Sequence, residues 1–458
     1  MSPPATAQLL DSLFSFLEPE KLDALAKETG FIQRKRLLTA SDFLSLLLQV
    51  HGNLTDATLQ ELCTKLLFEQ DIGITRSALD KKFTMNAVDF LHRLVDELFL
   101  SEQELEPVRH ILATEWPFTS LRLLDATKAS VPDYLKPRAQ KTHQTSVKIQ
   151  YEFDYLTGRF TFFYLDLTNT NDAVIGKKRV PFLEEHELCL QDMGYFSYET
   201  LKNIRNHDSY FLTKFRSDAY LGYQNPFPAH HPDGRVVQNS RYQKIDLVGL
   251  CRNLPPGEVL ELENVYFGDK AHFPARCILY SRNAEQKEQR LGRIDRRATK
   301  SGKKPKPQVR DLAGITGYMT NLPEHVSAEQ VVELYRLRWQ IELNFKALKS
   351  FLKIDHFKLV KQERWLCHLY GILLVFLLSQ LIAYQFRNRI WEQEEKEISE
   401  MTAIRSIACD VLPKLYESFR HKKKTLQEYV PMITRLLITT ARKPNSIKGT
   451  ALERLQIA

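Results

Sequence analysis

Cysteine is scarce in this chain: six residues in 458, at positions 63, 189, 251, 277, 367 and 409. No two are closer than 26 residues, so there is no C-x-x-C, and neither a zinc ribbon nor a thioredoxin-type motif is available. The same scarcity excludes a small disulfide scaffold and makes a reducing compartment the expectation. The thirteen histidines are scattered without an H-x-x-x-H pair, so no imidazole set stands at metal spacing. A G-x-S-x-G nucleophile elbow is missing. Lys300-Ser301-Gly302-Lys303 lacks the spaced leading glycine of a P-loop. No internal repeat is present. The opening MSPPATAQLLDSLFSFLEPEKL has no basic n-region and is not expected to be a signal peptide. The one long apolar run, Leu369 to Tyr384, is 16 residues and contains Ser379 and Gln380. It falls short of a spanning helix, so a buried core helix is expected and no membrane partner.

Apolar residues at 43% and charged residues at 26% are ordinary globular values. The length suggests about three domains. The net charge of +8 is modest, but between Lys287 and Pro307 nine Lys or Arg face two acids. That run is expected to be a solvated loop, broken by Gly302 and Pro305, and its charge favours a phosphate partner.

Residues 1–112 read as a helical N-terminal region that binds DNA. Phe43, Leu46, Leu47 and Val50 recur at helical spacing, and Thr55 to Phe68 reads as one helix. Gly73 marks a turn, and Thr75 caps a second, basic helix to Phe83. This pattern suits a helix-turn-helix reader and equally an ordinary helical hairpin. Strands follow at Leu121–Asp125, Val147–Phe153, Arg159–Leu167, Glu187–Gln191 and Tyr210–Phe215, with helices expected before the fourth strand and at Ser197–Asn206. This is the order of a ribonuclease-H-like α/β core, here 113–215 and 313–385, interrupted by a β-rich insertion at 216–312. Lys244–Leu250, Val259–Phe267 and Ala275–Tyr280 read as strands of that insertion, and 386–458 as a helical C-terminal region with a basic patch at Arg420 to Lys424.

The segment Val331 to Phe351 carries Leu334, Leu337, Ile341, Phe345 and Leu348 as an apolar stripe, which predicts one continuous helix. At about 100° per residue, Tyr335, Arg338, Glu342, Lys346 and Lys349 fall within a sector of about 80° beside that stripe. A carboxylate among an Arg, two Lys and a phenol suits a phosphate-gripping surface with a metal-binding acid at its centre. The plain alternative is a solvated face with i, i+4 pairs such as Glu342 with Lys346. Asp125 and Asp192 each end an apolar strand, and strand-end carboxylates of an α/β sheet point into one crevice. Asp125, Asp192 and Glu342 would then be three hard oxygen ligands, suited to Mg²⁺ or Mn²⁺. Two such ions about 4 Å apart can clamp the attacking and leaving oxygens of a phosphodiester.

Tyr335-x-x-Arg338-x-x-x-Glu342-x-x-x-x-x-x-Lys349 matches the Y-R-E-K signature of DDE transposases of the insertion sequence 4 family. Asp192-Met193-Gly194-Tyr195-Phe196 resembles that family's second-aspartate motif, and Asp125-Ala126-Thr127 its first. Gly30-Phe31-Ile32-Gln33-Arg34-Lys35-Arg36, Gln362-Glu363-Arg364 and Cys367-His368-x-Tyr370-Gly371 are similar to the insertion sequence 231 subgroup. The resemblance implies a transposase that cuts and rejoins double-stranded DNA at terminal inverted repeats and joins it to target DNA. It implies Asp125, Asp192 and Glu342 as ligands of two Mg²⁺, which Mn²⁺ can replace. It implies Tyr335, Arg338 and Lys349 on end phosphates, with a base flipped out beside the cut. A homodimer in the paired-end complex and a cytoplasmic, nucleoid-associated location are also implied. The family's insertion-domain tryptophan has no counterpart: Trp occurs only at 116, 339, 365 and 391, leaving Tyr318 as the candidate stacking ring. A nuclease of the same fold without strand transfer, and a non-catalytic DNA-binding remnant, are the rival readings.

Overall fold

Alternating or continuous apolar runs become strands, and the period-3.6 segments become helices. The computed structural model describes residues 5–34, 37–49, 54, 56–102, 115–130, 146–166, 170–356, 358, 360–443 and 451–456. Lys35, Arg36, Val50, Thr55 and Leu167, cited above, lie outside the described residues. The chain forms two compact units. The first is Met1–Ile111, Asp125–Asn169 and Trp339–Glu453; the second is Leu112–Leu124, Thr170–Arg338 and Arg454–Ala458.

The second unit is built on a mixed sheet. Strand β1 (Ser120–Ser130) enters it with residues 120–124. Strands β4 (Glu187–Gln191) and β5 (Tyr210–Phe215) follow in parallel, with helix Tyr198–Asn206 as their crossover. Strand β10 (Ile315–Thr320) lies antiparallel to β5 on one side and to β9 (Phe273–Ser281) on the other. Beyond β9 come β8 (Val259–Phe267), β6 (Leu221–Gln224) and β7 (Tyr242–Lys244). The strands between 216 and 312 thus continue the sheet from β10. Cys189, Leu201, Ile204, Phe211, Phe267, Cys277, Leu279 and Met319 form the core beneath one face.

In the first unit, β2 (Ser146–Asp154) pairs antiparallel with β3 (Phe160–Asp166), and β2 also neighbours β1. Helices fill the rest. The longest, Gln362–Glu394, has 33 residues. By length and apolarity alone it could cross a membrane, yet 89% of its most apolar window is buried inside the protein, as expected of a core helix. Two of its buried amides bond within the unit. Gln380 Nε2 donates to the Gly158 carbonyl at 3.3 Å, and Asn388 Nδ2 to Leu156 at 2.7 Å. Gly158 turns the β2–β3 hairpin with φ +79°, and a Cβ there would stand 2.5 Å from Tyr384 Cβ. Gly158→Ala is therefore expected to cost about 2 kcal/mol or more, from left-handed strain and overpacking together. Chemical denaturation of the two proteins checks this, and an unchanged midpoint refutes it.

Four local expectations are corrected. The segment 331–351 is not one helix: Ala328–Arg336 ends in a tight turn, with Leu337 N–H on the Leu334 carbonyl (3.0 Å) and Arg338 N–H on Tyr335 (3.2 Å), and a new helix runs Trp339–Ser350. The single 80° sector for Tyr335, Arg338, Glu342, Lys346 and Lys349 assumed an unbroken helix and does not hold. The basic stretch is a loop only from Gly302 to Lys306; Lys287 to Ser301 belong to helix Ala284–Ser301, capped by Asn283 and closed by left-handed Gly302. Its Glu, Gln, Lys, Arg and Ala residues are good helix formers, which outweighed their charge. Lys244–Leu250 is not a strand; Asp246 caps a short helix, Leu247–Cys251. In the N-terminal helical hairpin the left-handed residue is Asp71, which closes Leu59–Gln70, rather than Gly73. Thr75 caps the second helix as expected, but that helix is only Arg76–Asp80. Of the basic patch, Arg420 is tied to Asp42 and Glu417, while Lys422, Lys423 and Lys424 are exposed.

Candidate active site

Buried polar pairs set the register of the strands that lead to the two aspartates. In the second unit, Arg122 is 1% exposed, and its Nη1 donates to Glu187 at 2.6 Å and to the Phe182 carbonyl at 2.7 Å. This joins β1 to β4, which pair in parallel from Ser120 opposite Glu187 to Leu124 opposite Gln191. The β1–β4 pairing thus ends one residue before each acid, Asp125 and Asp192, but β1 itself runs on to Ser130, so Asp125 lies within a strand and not at the strand end expected from sequence. Gln191 is buried. Its side-chain Oε1 accepts from Arg179 at 2.7 Å, and its carbonyl accepts from Thr213 at 3.3 Å and from the Tyr335 hydroxyl at 3.5 Å. Asp192 is half-buried and opens the turn Met193–Tyr195.

The start of the Y-R-E-K segment sits against this strand end. Tyr335 is 4% exposed, and Tyr318 packs beside it with ring centroids 5.2 Å apart. Lys214 of β5 holds its Nζ 4.4 Å from the Tyr335 ring centroid and 5.8 Å from that of Tyr318. Burial, then the charges of Arg282 and Arg338, push the Lys214 ammonium down to about 8, with Asp192 pulling the other way. Asp192, Lys214, Tyr335 and half-buried Arg338 therefore form one group within the second unit. Tyr318, expected as a stacking ring, is 5% exposed and covered by Tyr335.

Asp125 and Glu342 belong to the first unit. Asp125 is half-buried, with its Oδ1 accepting from the Ala126 N–H at 2.8 Å. Glu342 lies in the first turn of helix Trp339–Ser350, where the helix dipole favours a carboxylate. Asn344 seats that helix: buried, it donates to Gln380 Oε1 at 3.0 Å and to the Tyr384 hydroxyl at 3.4 Å. Phe345 stands edge-on to Tyr151 at 5.0 Å. The Tyr151 hydroxyl is held well above its ordinary value, first by burial and then by charges that include Asp125. Tyr151 is thus a shared neighbour of Asp125 and of the helix that carries Glu342. On that helix Lys346 is exposed and Lys349 half-buried. Among the described residues, no three His, Cys, Asp or Glu side chains stand close enough together to hold a metal ion.

Residues 116–378 match the family model described as a transposase DDE domain. The chain is 32% identical over 432 residues to the transposase of insertion sequence element IS231F from Bacillus thuringiensis subsp. israelensis, with 93% of this chain and 89% of that protein covered. It is 31% identical to the transposase of IS1151 from Clostridium perfringens, with 90% and 88% covered. The chain belongs to the DDE transposases of insertion sequences. Among solved structures, the piggyBac transposase synaptic complex with hairpin DNA is similar at 12% identity and a TM-score of 0.45, with 97% of this chain and 86% of that one covered.

A DDE transposase depends on divalent metal, and Asp125, Asp192 and Glu342, the ligands expected from sequence, are hard oxygen donors of the kind such ions take. Sequence reasoning missed Lys214 in the transposase. The available signal was a lysine inside the otherwise apolar strand Tyr210-Phe211-Leu212-Thr213-Lys214-Phe215, one residue past the partner of Gln191. A cation in such a run is costly unless something anionic meets it.

Proposed function

We propose that this transposase cuts and rejoins insertion-sequence ends by phosphoryl transfer at Asp125, Asp192 and Glu342. The observation that supports this best is the parallel register of β1 and β4, which ends at Leu124 and Gln191, immediately before the two aspartates. The core reads as ribonuclease-H-like: three strands in the order β3-β2-β1, then β4 and β5 parallel to β1, with 216–312 inserted before the last helices. The five-part division proposed from sequence places DNA reading in 1–112.

In this reading the three carboxylates hold Mg²⁺, as a pair that Mn²⁺ can replace. When bound, the ions supply charge for both oxygens of the exchange, so no protein nucleophile is required. The chain's own residues orient and grip. Tyr335, through the Gln191 carbonyl, steadies the strand end that presents Asp192. Arg338 offers a planar fork to a phosphate, and Lys346 and Lys349 offer point charges. Gln380 and Tyr384, through Asn344, fix the helix of Glu342. The DNA is double-stranded, terminal repeats and target alike, and two ends call for a homodimer in the paired complex. The relatives are bacterial, which fits action on cytoplasmic DNA.

A strand-transfer assay with a pre-cut end and a target plasmid tests the reading. Joined product in Mg²⁺ is expected. Cutting without joining would favour a nuclease, and end binding without any nicking a non-catalytic remnant. Arg338→Ala and Lys349→Ala are each expected to weaken end binding and to lower the slope of log K against log salt by about 0.9 per lost contact. An unchanged slope would remove that residue from the phosphate-gripping set.

A further inference from the structure

One face of the second unit's sheet gathers cations that the Y-R-E-K signature does not include. Register sets Lys214 of β5 opposite Tyr318 of β10, and Thr316 of β10 opposite Tyr280 of β9. Arg282 follows two residues after Tyr280, so period-two alternation keeps it on that face. Its Nε donates to Thr316 Oγ1 at 2.8 Å, and its backbone N–H to the Gly314 carbonyl at 2.7 Å. Arg290, on helix Ala284–Ser301, lines a small open pocket together with Lys214 and Thr316, among walls that are otherwise mostly apolar, such as Met193, Phe215 and Leu247.

All three cations are partly withdrawn from water. Among the described residues, none has a carboxylate oxygen within 4.0 Å. Asp192 is the acid that acts on Lys214, and other acids of the region are engaged elsewhere: Asp218 with Arg216 and Lys306, Glu261 with Arg276, Asp295 with Arg310. The three cations also act on one another, since Arg282 and Arg290 both bear on Lys214, and Arg290 on Arg282. Like charges held together in a desolvated place destabilise the free protein, and an anion relieves that cost. The rest of the basic helix, with Arg293, Arg296, Arg297 and Lys300, leads away from the cluster as an exposed track suited to a polyanion.

We propose that Lys214, Arg282 and Arg290 form a phosphodiester-binding site beside Asp192, which takes a backbone phosphate of the DNA end next to the one that is cut. With Nε fixed by Thr316, the Arg282 terminal nitrogens serve two phosphate oxygens. Lys214 adds a point charge from the strand, and Arg290 closes the site from the helix. The site rests on the transposase reading for its position, because Asp192 marks the reacting bond.

The test uses the full-length protein and a labelled duplex carrying the element's terminal repeat. Lys214→Met, Arg282→Gln and Arg290→Gln are each expected to weaken binding several-fold at physiological salt and to lower the salt slope by about 0.9. Lys214→Arg, which keeps the charge, is expected to keep the slope, and thermal melting of every variant checks folding. A methylphosphonate placed phosphate by phosphate along the end is expected to weaken wild-type binding at one position near the cut and to add nothing there in Lys214→Met. Wild-type slopes in all three neutral variants, or equal methylphosphonate effects in Lys214→Met and wild type at every position, would overturn the site. Asp192→Ala separates the two readings. Loss of cleavage with an intact slope upholds the catalytic assignment whatever the cation variants do. Retained cleavage defeats that assignment and leaves the cation slopes to be judged alone.

Discussion

Asp125→Ala, Asp192→Ala and Glu342→Ala are each expected to lower end cleavage by about 10³-fold or more, on the order of 4 kcal/mol of barrier, while end binding stays within a few-fold of wild type. The two effects separate because the carboxylates carry the sign opposite to that of phosphate binders. Removing one removes a metal ligand without removing a cation from the DNA surface. The expectation is equal for the three positions although they sit in different local settings: Asp125 lies within β1, Asp192 follows β4, and Glu342 opens a helix. Gel assays of nicking and of binding, run side by side at fixed salt, measure both quantities. A variant that cuts at near-normal rate takes its residue out of the ligand set, and loss of binding would point to misfolding.

The second large effect concerns the support of Glu342. In the first unit Glu400 is 1% exposed. It accepts from the Tyr155 hydroxyl at 2.9 Å and from Lys443 at 2.8 Å, and pairs with fully buried Arg387 at 3.5 Å. Tyr155 and Leu156 belong to the hairpin connection that Arg387 also holds, through their carbonyls. The same helix seats Asn344 through Gln380 and Tyr384. Burial raises the Glu400 carboxyl, but Lys443 and Arg387 outweigh it and hold it below its ordinary value of 4.5. Because the folded form binds its proton less readily than the unfolded chain, this stabilisation is present above about pH 4.5 and fades as pH falls through the lower folded value. Glu400→Gln leaves Arg387 and Lys443 short of their counter-charge and is expected to cost about 3 to 5 kcal/mol at pH 7. It should also flatten the loss of stability as pH falls below about 4.5. Denaturant midpoints of both proteins across that range provide the check, and parallel curves would mean that Glu400 does not set the acid limb.

The elements carrying the acids were legible because their signals are local. Alternation through Val147 to Phe153, the apolar run ending at Asp192, and capping at Thr75 each reflect a few neighbouring residues, whereas the run of β1 past Asp125 to Ser130 had no apolar pattern to mark it. The turn at Leu337 and Arg338 was not legible, because no proline or glycine marks it and the apolar stripe runs through unbroken. The helix at 284–301 was misread because charge density was given more weight than intrinsic helix preference. Lys214 was missed because its meaning is non-local. A lysine in one strand becomes informative only when Tyr335, Arg282 and Arg338 arrive around it from distant parts of the chain. Tyr335 shows the same limit: the signature names it, while its burial against the Gln191 carbonyl, which suggests a positioning role, belongs to the fold alone.

Manganese anomalous scattering from crystals of the transposase bound to its terminal-repeat duplex tests the central claim most directly. Two manganese peaks ligated by Asp125, Asp192 and Glu342 are expected. Manganese ligated by other side chains, with these three carboxylates turned to protein partners, would contradict it.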